Sequence, residues 1–217
     1  MRSNTIGIDF GRTATVAYLC DGVWPACRWR CIGDGQRARI PNAVDGAGRW
    51  ASAAVAAGAP DLNAGYANLT DEPWLDSKAA YGFWENLGRR LTAFLGRVEP
   101  VPESGYRVVI ALHTVDFATT AQSMQALCCR DAIASFDGAV CVPAHRAVLC
   151  RWMPESPDNE ARRLTAVIVC VGDTLTSVSA YEIERCEEGL PRVVRCGAPI
   201  ALDATRAMEK PAIPWPG

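Results

Sequence analysis

The sequence contains no Cys-x-x-Cys pair, no Gly-x-Ser-x-Gly elbow, no apolar run long enough to span a bilayer, no marked excess of either charge, and only two histidines. Each absence closes a class of function. The nearest cysteine spacings are Cys27-x-x-x-Cys31 and the adjacent Cys128–Cys129, whose side chains diverge on a helix. With only His113 and His145 to add, they make a poor zinc set. Without the elbow there is no Ser-His-Asp hydrolase signature. Without a long apolar run no membrane partner is expected. Lys and Arg number 22 against 24 Asp and Glu, a net charge of −2, so nucleic acid is not the expected partner. The basic pairs Arg89–Arg90 and Arg162–Arg163 read as solvated surface. Met1-Arg2-Ser3-Asn4 runs directly into a strand-like segment with no secretory pattern, so a soluble, cytoplasmic protein is expected. In that compartment the ten cysteines are reduced thiols acting as small apolar residues. Cys20, Cys141, Cys150 and Cys170 all sit in apolar runs.

What the sequence does have is a core. Hydrophobic residues make up 49% and charged residues 21%, which argues for a globular chain of one large or two small domains. Apolar alternation predicts strands at 5–10 and 13–20, joined as a hairpin across Gly11-Arg12-Thr13, with a third strand near 24–31. Pro41 confines any strand at 39–44 to a sheet edge. A short helix fits 50–57. Asp71-Glu72-Pro73 reads as a helix start, followed by Leu75, Ala79, Phe83, Leu87, Leu91 and Leu95 at four-residue intervals, with Trp84 and Phe94 widening the stripe up to Gly96. Strands are expected at 107–112, 139–142, 165–171, 175–183 and 192–196. Helices are expected at 117–135, 144–152 and 203–210. His113 follows a strand and reads either as a cleft-facing group or as a structural, hydrogen-bonded histidine. His145 reads as surface or packing.

Two segments share one design, a strand, a glycine turn and a strand, at 5–20 and 165–183. Such a turn exposes successive backbone N–H groups with no side chain in the way, and two facing turns can hold a phosphate chain between them. A carboxylate ending the first strand can orient a hydrated magnesium ion. The text Ile6-Gly7-Ile8-Asp9-Phe10-Gly11-Arg12-Thr13-Ala14-Thr15-Val16-Ala17 resembles the first phosphate motif of the actin-like ATPase superfamily, above all its seventy-kilodalton heat-shock chaperone branch. Arg39-Ile40-Pro41-Asn42-Ala43-Val44 is similar to the strand that follows in those chaperones, and 167–178 is similar to their second phosphate motif. The resemblance covers residues 5–45 and 70–207, and only the first motif is highly specific.

The resemblance implies an α/β, actin-like (RNase-H-like) fold, with a nearly complete first lobe at 1–160 and a truncated second lobe at 161–217. It implies ATP or ADP with magnesium as ligand. Asp9 would hold the metal through water, Gly11, Arg12 and Thr13 would contact phosphate, and Gly172, Asp173 and Thr174 would close the other side. The departures point away from turnover. The family's second-motif aspartate falls on Cys170, and its glutamate before proline falls on Val142, ahead of Pro143. Its catalytic lysine has no counterpart, Lys78 lying too deep in a helix. Losing oriented charges costs roughly 10²–10³ in rate each. The expectation is therefore a pseudo-ATPase acting through a protein partner or as a homodimer. The alternatives are an ATPase or kinase completed by another subunit, and a nuclease recruiting Asp116, Asp131 and Asp137.

Overall fold

The chain is described as a computed structural model over residues 2–11, 13–23, 28–35, 37–59, 78–97, 106–113, 139–152, 163–171, 175–184, 192–197 and 200–203. Strand β1 (Arg2–Phe10) forms a nine-pair antiparallel hairpin with β2 (Ala14–Val23). The far side of β2 carries β3 (Arg28–Cys31) and β4 (Arg39–Pro41). β4 thus ends on Pro41 at an edge, where a residue without an N–H costs no ladder bond. On its other side β1 runs parallel to β5 (Arg107–Leu112), which runs parallel to β6 (Ala139–Pro143). A second, separate sheet is wholly antiparallel. It pairs β7 (Arg163–Val171) with β8 (Leu175–Glu184), and the other side of β8 holds β9 (Arg192–Cys196) and β10 (Ile200–Asp203). The helices among the described residues are α1 (Ala51–Ala56), α2 (Lys78–Leu95) and α3 (Ala144–Trp152).

The α/β, actin-like fold class expected from the sequence is not what these residues form. Strand outweighs helix, 54% against 25%, in two sheets with only three helices. Two features account for the difference. The hairpin alternation runs further than it was read, so that β1 begins at Arg2 and β8 ends at Glu184. Residues 200–203, next to an expected helix at 203–210, pair as a strand with β8 instead. The expected helices at 117–135 and 203–210 lie outside the described residues, apart from Asp203, and so does the helix-start signal at 71–77.

The period of two decides what is buried. In β1, Ile6, Ile8 and Phe10 face the core and are at most 1% exposed, as are Ala17 and Leu19 of β2 and Val108, Ile110 and Leu112 of β5. The stripe of α2 covers them: Phe83, Trp84, Leu87 and Leu91 are fully buried, and the Trp84 ring lies 5.1 Å from that of Phe10. The opposite side of α2 is solvated and carries an i, i+4 Arg89–Glu85 ion pair. A smaller cluster joins α3 to the second sheet through Leu149, Ala166, Tyr181 and Ile183. Helix α3 thus links the two sheets, following β6 directly and packing on β7. No helix among the described residues is long and apolar enough to cross a membrane.

Leu91→Ala is expected to lower unfolding free energy by about 2–5 kcal/mol, because the site is fully enclosed. Arg89→Ala, which removes only an exposed pair, should change it by less than about 1 kcal/mol. Urea unfolding followed by circular dichroism measures both.

Candidate functional site at the ends of β1 and β5

Burial of Ile8 and Phe10 on one face forces Asp9 onto the other, where its side chain is 57% exposed. In the parallel pairing of β1 with β5, Asp9 lies beside Ala111, so the chain leaving β5 delivers His113 next to the carboxylate. His113 Nε2 is 2.8 Å from Asp9 Oδ1. A carboxylate only accepts, so Nε2 carries the proton and Nδ1 is left to face elsewhere. His113 is thus a hydrogen-bonded, partly exposed histidine just beyond the end of β5.

The turn beside Asp9 is braced. Gly11 N–H donates to Ala14 O at 3.2 Å, and a Cβ on Gly11 would lie 2.8 Å from that same oxygen, so only glycine fits. Asn42, fully buried just after β4, ties the turn down three ways. Its Nδ2 donates to Gly11 O at 2.8 Å, its backbone N–H donates to Thr13 O at 2.9 Å, and its Oδ1 accepts from the Thr15 hydroxyl at 2.6 Å. Thr15 is also fully buried. Asn42 is the site residue that sequence reasoning passed over. Its signal was its place one residue after Pro41, in the segment quoted for the chaperone resemblance.

Three strand ends align at this level. Asp9 pairs with Ala111, and Ala111 with Val142, so the residues level with Asp9 on the neighbouring strands are apolar. One group of the second sheet is within electrostatic reach of Asp9. Cys170, near the end of β7, is buried, which pushes its thiol pKa up, and the negative charge of Asp9 pushes it further. His145, at the start of α3, is 7% exposed with its ring 5.7 Å from that of Tyr181. Burial holds its pKa down, and neighbouring His113 adds to the effect. Tyr181 is pushed up by burial and by its hydrogen bond to Cys196.

Asp9, Gly11 and Thr13 are therefore brought together with His113 and Asn42, and the charge of Asp9 acts on Cys170. Arg12, Gly172, Asp173 and Thr174 lie outside the described residues, as do Asp116, Asp131 and Asp137 of the nuclease reading. Among the described residues no three His, Cys, Asp or Glu side chains are grouped to hold a metal ion. Described Cys20, Cys31, Cys141, Cys170 and Cys196 are free thiols. No family model matches the sequence, and a search of curated proteins gives no match.

Asn42→Ala leaves the Thr15 hydroxyl and the Gly11 carbonyl without this partner and should destabilise the fold by about 2–4 kcal/mol, measured by urea unfolding. In a cycle with Thr15→Val the two changes should couple by more than about 0.5 kcal/mol. Thiol labelling of the native protein at pH 8 tests the electrostatics. Cys141, whose pKa burial pushes up to about 11, and Cys170 stay protonated, whereas Cys196 is exposed. Cys196 should react at least about tenfold faster than either.

Proposed function

We propose that the chain binds a nucleotide, ATP or ADP with magnesium, at the ends of β1, β5 and β7, that it turns the nucleotide over inefficiently, and that it acts through a protein partner. The observation that carries this reading is the exposed Asp9 carboxylate at the end of β1, held by His113 beside the braced Gly11 turn. The text of residues 6–17, which resembles the chaperone phosphate motif, points to the same place.

The donor set fits a hydrated magnesium ion that arrives with phosphate, and does not fit a metal held by the protein alone. Asp9 Oδ1 already accepts from His113, leaving Oδ2 as the carboxylate oxygen for metal-bound water. When bound, magnesium would screen the phosphate charge. The chain's own residues supply the rest. Asp9 orients the water shell, His113 fixes the carboxylate, and Asn42 keeps the turn open at its Thr13 end. The amide of Gly11 is committed to Ala14.

Slow turnover follows from what surrounds Asp9. Hydrolysis needs an oriented water and charges placed around the transferring phosphoryl group. Level with Asp9 the first sheet offers Ala111 and Val142, and the second offers a protonated thiol at Cys170 in place of a carboxylate.

Calorimetric titration with ATP and magnesium tests the reading. Binding is expected to be weak, in the range above about 10 μM, and to vanish in Asp9→Ala. Phosphate release should not exceed the uncatalysed background. Tight binding that Asp9→Ala leaves unchanged would remove Asp9 from the site.

A further inference from the structure

Among the described strands β7 lies at an edge, and it lacks the protection that every other described edge carries. Edge strands expose unpaired N–H and C=O groups, and proteins blunt them with charge, proline, bulges or shortness. β3 is four residues long and includes Arg28 and Arg30. β4 is three residues ending in Pro41, and β6 is five residues ending in Pro143. β9 begins at Arg192, includes Arg195 and has an irregular register against β8. β10 is four residues. β7 is nine residues, Arg-Leu-Thr-Ala-Val-Ile-Val-Cys-Val, with its single charge at its first position and no proline or glycine. It pairs regularly with β8 along its whole length, and no described strand pairs with its other edge.

Its outward face is also apolar. Val167, Val169 and Val171 are 60%, 56% and 78% exposed, and across the sheet on the same face lie Ala180 and Val178, with Ile200 of β10 beside Val178 at 63%. The inward face is occupied by α3 through the Leu149 cluster, so among the described residues the edge and the outward face are left uncovered.

We propose that two copies of this chain associate through β7, edge to edge and antiparallel about a two-fold axis, joining the two small sheets into one. The strand's own chemistry selects a second copy as occupant. In the full-overlap register centred on Val167, that residue meets itself, Thr165 meets Val169, and the stem of Arg163 lies along Val171 of the other copy. The two arginines then sit at opposite ends of the seam, so no like charges oppose each other. A nine-residue antiparallel pair makes about eight to ten ladder hydrogen bonds, the number a standard-sized protein interface contains. The paired valines add an apolar strip continuous across the axis. The inference is independent of the nucleotide reading.

Sedimentation velocity of the purified chain from about 1 to 100 μM decides the matter. A monomer–dimer equilibrium is expected, with Val169→Lys weakening it at least about tenfold. Val148→Lys, at a comparably exposed valine on α3, should leave it unchanged. Far-ultraviolet circular dichroism establishes that both variants are folded. Should Val169→Lys fail to fold, amide hydrogen exchange of the unaltered protein supplies the answer, because amides of residues 163–171 should gain protection between the dilute and concentrated samples. A monomer throughout the range, a dimer indifferent to Val169→Lys, assemblies larger than two, or β7 amides insensitive to concentration would each overturn the proposal.

Discussion

The structure turns on the alternation of β1. Ile6, Ile8 and Phe10 must be buried against α2, and a strand that buries every second residue has to present the others on its opposite face. Asp9 is one of those. Its exposure needs no dedicated device, because moving it inward would bring Ile8 and Phe10 out, at a cost far beyond that of a solvated carboxylate. The same constraint fixes the neighbours. The parallel register with β5 carries His113 to Asp9, and the hairpin register with β2 puts Thr15 opposite Phe10, where Asn42 can reach both its hydroxyl and the turn.

The polar groups at this end are arranged to hold a geometry. Asn42 uses its side-chain oxygen, its side-chain nitrogen and its backbone nitrogen on three partners, which for a fully buried amide is the condition for being tolerated at all. His113 holds Asp9 with one nitrogen and affects His145 through space. Cys170 brings the second sheet into the same electrostatic neighbourhood without adding a charge.

Much of the local structure was legible in the sequence. The limits of β5, β9 and α3 coincide with the residues expected, since each is a short apolar segment with clear changes of pattern at its ends. The stripe of α2 was legible because Phe83, Leu87, Leu91 and Leu95 repeat at helical spacing. Asp9 and Gly11 stood out for the same reason, a strand ending in a carboxylate and a turn. The architecture was not legible. The α/β fold was inferred from one specific motif, and no strand signal in the sequence marks 200–203, which is a strand because β8 offers it a ladder. The His113 partnership was hidden too, because 104 residues separate it from Asp9 and only the parallel register brings them together.

The central claim is that the ends of β1, β5 and β7 form one ligand site. Amide chemical shifts of the isotope-labelled protein, followed as ADP and magnesium are added, test it most directly. The account predicts that Asp9, Gly11, Thr13, His113 and Cys170 move together along one saturation curve while α1 and β3 stay still. Shifts confined to the first sheet, leaving Cys170 unmoved, or shifts centred on another face of the molecule, would contradict it.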